Sequence, residues 1–435
     1  MNQPFIALRV WVNNMKKEKQ KIAIVGAGIS GLLSAYLLSR EHDVTLFEAN
    51  EYLGGHTHTK TVQSGGKNYS VNTGFIVYND WTYPNFIKLM DQLGVASEES
   101  EMSFSVRDEN TGLEYNGTSL NSLFAQRSNL LKPAFWLMIK DILRFNKQTV
   151  EMVEKNQLSD TQSLGEFVKE NGYSDRFVNH YIVPMGSAIW SASVDVMMEF
   201  PLKFFLKFFN NHGMLSVDHR PQWRVISNGS RSYIEPLIAP FKDNIHLNSP
   251  ISEVTRLSDK VIIKTFAGAE EEFDQVVFAC HSDQALGMLT DATQQESDIL
   301  GAIPYQMNEV VLHTDRRLMP KRKLAWAAWN YHIPQRLSEF AMVTYHMNAL
   351  QNIDAPDDFM VTLNRTAEIA PGKIIDKYNY AHPVFTMDGI AAQHRHSEIN
   401  NKNRSHYCGA YWFNGFHEDG VNSALRVAES FGIEL

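Results

Sequence analysis

Cysteine is almost missing from the 435-residue sequence: only Cys280 and Cys408 occur. Two such residues cannot build a disulfide scaffold, and without paired spacing they cannot build a zinc ribbon, so a reducing, cytoplasmic setting fits best. Long apolar runs are missing too. No stretch of about 18 uncharged apolar residues occurs, so no bilayer-spanning helix is expected. Basic residues are outnumbered, 40 Lys plus Arg against 49 Asp plus Glu, and the formal charge of -9 argues against nucleic acid as a partner. Residues 4–12 are apolar but lack a basic segment before them and a small-residue cleavage site after them, so they do not read as a signal peptide. Residues 1–20 read as an N-terminal extension outside the fold. The motifs G-x-S-x-G, H-E-x-x-H and C-x-x-C are missing as well, which removes the common hydrolase, metalloprotease and dithiol routes.

What is present is an ordinary globular composition, 44% apolar and 20% charged, on a chain long enough for two sizeable cores. Residues 22–25 have the pattern of a short buried strand, Gly26, Gly28 and Gly31 follow in G-x-G-x-x-G spacing, and residues 32–40 continue as a helix. Gly26 suits the tight turn, Gly28 lets backbone approach a pyrophosphate, and Gly31 lets the helix pack closely on the strand. Amides at the helix N-terminus then face the phosphates. Residues 44–47 read as a second strand ending at Glu48, an acid placed to accept hydrogen bonds from a ribose. Dinucleotide binding is the expectation.

Just downstream, Glu48, Ala49, Gly54, Gly55 and His56 stand in a pattern that resembles the E-A-x-x-x-x-G-G-R signature of the FAD-binding amine oxidase superfamily, which includes phytoene desaturases and protoporphyrinogen oxidases. The resemblance implies FAD as cofactor and an α/β architecture. A Rossmann-type FAD-binding domain would be assembled from residues 21–75, 225–290 and 385–435. A discontinuous α+β substrate domain would occupy 76–224 and 291–384. His56 stands where the family often has Arg, replacing a permanent cation by a titratable ring. Gly54 and Gly55 are also readable as a plain turn.

The chain is expected to return to the cofactor twice. Residues 245–254 and 261–266 read as strands, and the resemblance gives Ile251 a backbone contact to adenine; residues 273–280 read as a strand leaving towards the cofactor. From Tyr407 to Val421 the pattern is strand, glycine-bearing loop, and a helix starting near Gly420 whose amides and dipole would face the flavin pyrimidine edge. This block, with the stretches 184–191, 211–215, 221–223, 303–305, 382–385 and 390–393, resembles one bacterial branch of the superfamily. Its members are usually described as NAD/FAD-binding proteins or FAD-dependent amine oxidases, and are often encoded beside cyclopropane fatty-acyl synthases. Two departures stand out: Ala410 replaces a common acid, and Phe413 is larger than that loop position usually allows.

Carried over residue by residue, the resemblance implies cofactor contacts at Gly26, Gly28, Ile29, Ser30, Gly31, Glu48, Ala49, Gly54, Gly55, His56, Thr57, Gly74, Phe75, Ile251, Gly409, Ala410, Asp419, Gly420 and Val421. It implies catalytic roles for Tyr411, Trp412 and His417. Tyr411 and Trp412 either line the flavin face or pack in the core; His417 and Glu418 either serve as acid and base or cap the following helix. Many amine oxidases hold a lysine near flavin N5, and residues 303–315 contain none, which weakens an amine substrate. His56 with His58, and His394 with His396, are completed by no cysteine or carboxylate set, so no metal is expected.

Two inserted stretches are rich in rings and cations. Residues 130–147 carry Phe135, Trp136 and Phe145 with Lys132, Lys140, Arg144 and Lys147; residues 200–209 carry five phenylalanines with Lys203 and Lys207. Such stripes read as core, or as an apolar tunnel or a lip on a membrane surface. Residues 310–313, 326–329 and 343–347 are expected as strands flooring the pocket. The leading expectation is an FAD-dependent oxidoreductase that takes a hydride from an apolar substrate, desaturating or oxidising a modified fatty acyl chain, in the cytoplasm with peripheral contact to the inner face of the membrane. The alternatives are a flavin amine oxidase and a non-catalytic flavoprotein partner of a cyclopropane-synthase-like lipid methyltransferase.

Overall fold

The computed structural model describes residues 18–335 and 338–435, so most of the N-terminal extension lies outside the described residues. Lys21–Val25 forms the central strand of a five-stranded sheet. Outward from it lie Asp43–Phe47 and Ile245–His246 on one side, and Gln275–Phe278 and Ser405–Tyr407 on the other, all parallel. Strands in such a sheet are covered on both faces and so need apolar residues at consecutive positions. Ile22, Ile24, Val44, Leu46 and Val277 point into one core. Ala23, Val25, Phe47, Val276 and Phe278 point into another, the period-two alternation of a pleated strand.

Ile29–Leu38 crosses the first face and is buried at nearly every position because the final helix, His417–Ser430, covers its outer side. That is why it reads as uniformly apolar. Pro84–Leu93, drawn from the segment expected on the substrate side, also enters this core through Phe86, Leu89 and Met90. The second face carries a three-stranded antiparallel sheet of Ile251–Arg256, Val261–Thr265 and Glu270–Phe273.

A separate seven-stranded sheet runs in the order Ile374–Pro383, Tyr305–His313, Met360–Leu363, Val343–His346, Trp329–Ile333, Phe104–Asp108 and Glu114–Asn116. Only Trp329–Ile333 and Phe104–Asp108 pair in parallel. The three stretches expected as strands fall here, except that 326–328 forms a turn before Trp329. Helix Pro133–Glu154 lays Phe135 and Met138 on this sheet. A cluster of helical aromatics around Trp190 fills the remaining space. Among the described residues no helix is long and apolar enough to cross a membrane.

Candidate cofactor and active site

The parallel strand Lys21–Val25 ends in a turn that only glycine fits. Gly26 has φ +106°, and a Cβ there would sit 2.8 Å from the Ala279 carbonyl oxygen. Gly31 meets the turn so closely that a Cβ would lie 1.9 Å from the Gly26 oxygen. Gly28 differs: a Cβ on it would meet no heavy atom within 4 Å. Gly28 is the N-cap of the first helix and offers no side-chain cap, so the amides of Ile29, Ser30 and Gly31 at the first turn are available to an anion.

The second glycine pair closes on the first. Gly54 N donates to the Ala27 carbonyl at 2.8 Å, Gly54 and Gly28 form a backbone bridge, and a Cβ on Gly55 would come within 3.3 Å of the Gly28 Cα. Gly54 and Gly55 are therefore part of one floor with the phosphate turn. Glu48, buried, accepts from Ala27 N at 2.8 Å and from Asn50 N and Nδ2 at 2.9 and 2.8 Å. A carboxylate has about four lone-pair directions, so Glu48 ties the two glycine segments together and keeps capacity for one more donor. Ala49 beside it is exposed. Asn248 N and Ser249 N donate to the Asn50 and Glu48 carbonyls, which brings Ile251, itself buried, to the same edge.

His56 O accepts from Phe75 N at 2.6 Å, and Gly74 must be glycine because a Cβ would lie 2.2 Å from that oxygen. Phe75 stacks on His417, centroids 3.7 Å apart and planes within 7°. His417 Nε2 is 2.8 Å from the Tyr233 hydroxyl, which is 2.5 Å from Thr57 Oγ1. Burial pulls the His417 ring down to about 3, so it is neutral and held. The final helix begins at His417, three residues before the expected start at Gly420, because the Asp419 carboxylate accepts from Phe416 N at 2.9 Å and makes Phe416 the N-cap. Gly420 is instead a contact: a Cβ there would lie 2.7 Å from Ile29 Cγ2. Val421 is fully buried in the same core.

Gly409 N donates to Ser423 Oγ at 2.8 Å, and a Cβ on Gly409 would lie 2.3 Å from the Tyr411 ring. Ala410 O accepts from Phe413 N and Gly415 N, closing the loop, and the Phe413 ring lies under the Arg426 guanidinium at 4.6 Å. Tyr411 and Trp412 are 3% and 2% exposed and pack with Phe278 and Tyr407. Neither the Tyr411 hydroxyl nor the Trp412 indole N–H closes a hydrogen bond. Both rings are packed in the core beside the loop, and Tyr411 meets Tyr305 edge-on at 6.3 Å.

Several residues at this junction carry no local sequence signal. Tyr233 and Phe86 enclose His417. His281 stacks on Tyr305 at 4.4 Å. The His56 ring lies 4.8 Å from Tyr380 and 5.4 Å from His382. Asn308, fully buried on the strand that lacks a lysine, donates through Nδ2 to His382 Nδ1 at 3.0 Å and accepts from Asn364 through Oδ1. The neutral His382 ring accordingly carries its proton on Nε2. Burial, with His281 nearby, lowers His382 to about 4. Burial and then His382, His281 and His417 hold His56 well below the usual imidazole value, with no carboxylate among the causes. These imidazoles are thus uncharged at neutral pH. His56 Nε2 is buried and has no hydrogen-bond partner among the described residues.

On the other side of the final loop, Trp190 Nε1 donates to the Asn414 carbonyl at 3.3 Å, and Phe416 stacks on Phe208 at 4.7 Å. The phenylalanines of 200–209 are largely buried around Trp190. This stripe is core, not a lip, because helix Val183–Trp190 and Phe385 cover it.

The open space at Gly28, the uncapped amides and the orphaned His56 nitrogen suit a dinucleotide whose ring system reaches the junction. The sequence profile of the family described as flavin containing amine oxidoreductase matches residues 29–349. The L-amino-acid oxidase of Mus musculus is 24% identical over 318 residues, covering 70% of this chain and 49% of that protein. The chain spans no more than about half the length of the curated relatives it matches. Among solved structures, the CLA-producing fatty acid isomerase from P. acnes is similar at TM-score 0.68 and 18% identity, covering 96% of this chain and 99% of that one. Cyclohexylamine oxidase from Brevibacterium oxydans IH-35A is similar at TM-score 0.67 and 14% identity, covering 95% and 99%.

Proposed function

The chain belongs to the flavin-containing amine oxidoreductase family, whose cofactor is FAD, and from that membership we propose an FAD-dependent oxidoreductase that dehydrogenates an apolar substrate, first of all a modified fatty acyl chain. The observation that carries the substrate reading is the set of uncharged imidazoles where the two sheets meet. Asn308 lies in the stretch 303–315 that holds no lysine and bonds to His382, and the imidazoles there are neutral. A cationic amine would leave water for this lining without a carboxylate to pair with, at a cost of several kcal/mol by rough reckoning. An alkyl chain loses nothing there and gains about 25 cal/mol per Å² of apolar surface buried.

Bound FAD supplies a hydride acceptor. The chain's own residues do the rest. The amides of Ile29 to Gly31 and the floor of Gly28, Gly54 and Gly55 would hold the pyrophosphate, and Glu48 has one acceptor direction left for a ribose hydroxyl. His56 Nε2 would meet a polar edge of the cofactor. His382, fixed by Asn308, can donate a hydrogen bond from Nε2 at the same junction, and the proton released together with the hydride would pass to solvent. Tyr233, Thr57 and Phe75 clamp His417 and so the start of the final helix, whose remaining N-terminal amides favour negative charge nearby. A fatty acid isomerase and an amine oxidase both have a similar fold, so it is the neutral imidazoles and the missing lysine that support the acyl reading.

Anaerobic mixing tests the proposal. Loss of the oxidised flavin absorbance on adding acyl lipids is expected, with no loss on adding primary amines. Bleaching by amines alone would reassign the protein as an amine oxidase; bleaching by neither, with retention of a lipid methyltransferase on a column of the FAD-loaded protein, would make it a non-catalytic partner.

A further inference from the structure

We infer that the face formed by residues 120–143 and the turn at 321–324 docks on an anionic lipid bilayer. Helix Pro133–Glu154 buries Phe135, Met138, Asp141 and Phe145 on its inner side, so its outer side should be polar. Instead Leu143 is 54% exposed, Trp136 48% and Leu137 46%, and the approach to the helix adds Leu131 at 88% and Leu120 at 77%. Single exposed apolar residues are unremarkable, but a contiguous group marks an interaction surface. This group is contiguous and held in shape. Trp136 Nε1 donates to the Leu130 carbonyl at 2.9 Å, and its ring lies 5.3 Å from Phe124. Helix Leu120–Leu123 rests against Lys323–Ala325, which adds exposed Leu324 between Lys323 and the sheet.

Charge selects the occupant. Between Glu114 and Asp141 the sequence has no acid, while Arg127, Lys132 and Lys140 fall in that interval. Asp141 itself is buried and paired with Arg144 at 3.1 Å. Lys321 and Lys323 add to these cations at the turn against which helix Leu120–Leu123 rests, while Arg322 between them is paired with Glu114 at 2.9 Å. A chain of net charge -9 thus concentrates cations around exposed leucines and a tryptophan. That combination is what an interfacial element presents to acyl chains and anionic head groups at once. An acidic protein partner would match the cations but would leave the leucines against charged surface.

Cosedimentation of the FAD-loaded protein with vesicles tests this. Binding is expected to vesicles of equal parts phosphatidylcholine and phosphatidylglycerol, to weaken as salt rises, and to be absent with phosphatidylcholine alone. Lys140→Glu should weaken binding by about fivefold or more, the effect of one interfacial cation, and Leu131→Asp at least as much. Phe266→Asp, on an exposed turn of the three-stranded sheet, should bind as the parent does, and unchanged circular dichroism verifies that each variant is folded. Equal sedimentation of the parent with both vesicle types, or of Lys140→Glu and Leu131→Asp with the parent, would overturn the inference. So would a dimer in solution that Leu131→Asp splits while vesicles bind nothing, since the face would then belong to a second copy. Flavin reduction plays no part in this readout, so its outcome is separate from that of the proposed activity.

Discussion

Ser30 Oγ donates a hydrogen bond of 2.9 Å to the carbonyl of Gly420, a residue 390 positions further along the chain. Both lie in first turns of helices, one after the phosphate turn and one after the final loop, and the absent side chain of Gly420 is what lets the turns touch. The N-termini of the two helices are fastened together, so their dipoles add at one place.

Gly28 and Gly31 should respond oppositely to a methyl group. Gly28→Ala fills space that no protein atom occupies, at a φ of −69° that alanine adopts freely. The flavin-free protein should keep its melting temperature, while FAD affinity falls by about tenfold or more through overpacking against the cofactor. Gly31→Ala drives a methyl to 1.9 Å from backbone and should abolish soluble protein. Calorimetry and flavin absorbance of the two purified variants check this, and undiminished FAD binding by Gly28→Ala would place the phosphates elsewhere.

Tyr233→Phe removes the hydroxyl shared by Thr57 and His417 and leaves the buried imidazole with only the 3.4 Å contact to Thr57. The expected loss is about 1–2 kcal/mol in denaturant unfolding, together with weaker flavin retention, because the start of the final helix loosens.

Burial raises Glu418 to about 7 against the pull of the Asn85 and Phe86 amides, and Asp419 to about 7 likewise. A carboxyl whose folded value exceeds its unfolded value stabilises most below the unfolded value, and that stability is lost as pH rises through about 7. His417 and His382 act in the opposite sense. Their folded values lie below the unfolded one, so stability is full above about 6.5 and declines as pH falls towards 4. The histidine gain and the carboxyl loss overlap between about 4.5 and 6.5 and largely offset one another, so stability should change little there and decline below about 4 and again as pH approaches about 7. Glu418→Gln, which mimics the protonated acid, should raise the melting temperature most at about pH 8.5 and by about half as much or less at about pH 5.5, with at most about 3 kcal/mol at stake.

Arg256, its side chain 1% exposed, pairs with Glu296, also 1% exposed, and with Asp291. Burial alone would raise Glu296, but hydrogen bonds from Arg256, Thr293 and Tyr407 bring it to about 2. Glu296→Gln leaves the buried guanidinium with only the partly exposed Asp291 as carboxylate partner and should cost up to about 3 kcal/mol. Because Tyr407 sits just before the Gly409 loop, the variant should also release flavin at lower denaturant concentration than it unfolds, as absorbance and circular dichroism together would reveal.

The cofactor half of the site was legible in the sequence because its geometry is local. Gly26, Gly28 and Gly31 are spaced by one turn and one helix start, and Glu48 ends the next strand. The partners of those residues were not legible. Tyr233, Phe86, His281 and His382 reach His56 and His417 only through sheet pairing and helix packing, and nothing in their own neighbourhoods distinguishes them from core. Periodicity likewise could not separate the two aromatic stripes. Residues 200–209 are covered by Trp190 and Phe385, whereas Trp136 and Leu143 stay about half exposed, and that difference belongs to topology. The start of the final helix was misplaced because Gly420 resembles a helix boundary, while the deciding bond comes from Asp419 to an amide before it.

The fastening of Ser30 to Gly420 also sets a schedule for maturation. A ribosome that has finished the phosphate turn has made only half of the docking cradle, and the emerging polypeptide must wait until residue 420 clears the exit tunnel before the yellow ligand can be locked in. Closure of the cradle thereby waits on residue 420, and chains arrested before that point should be colourless.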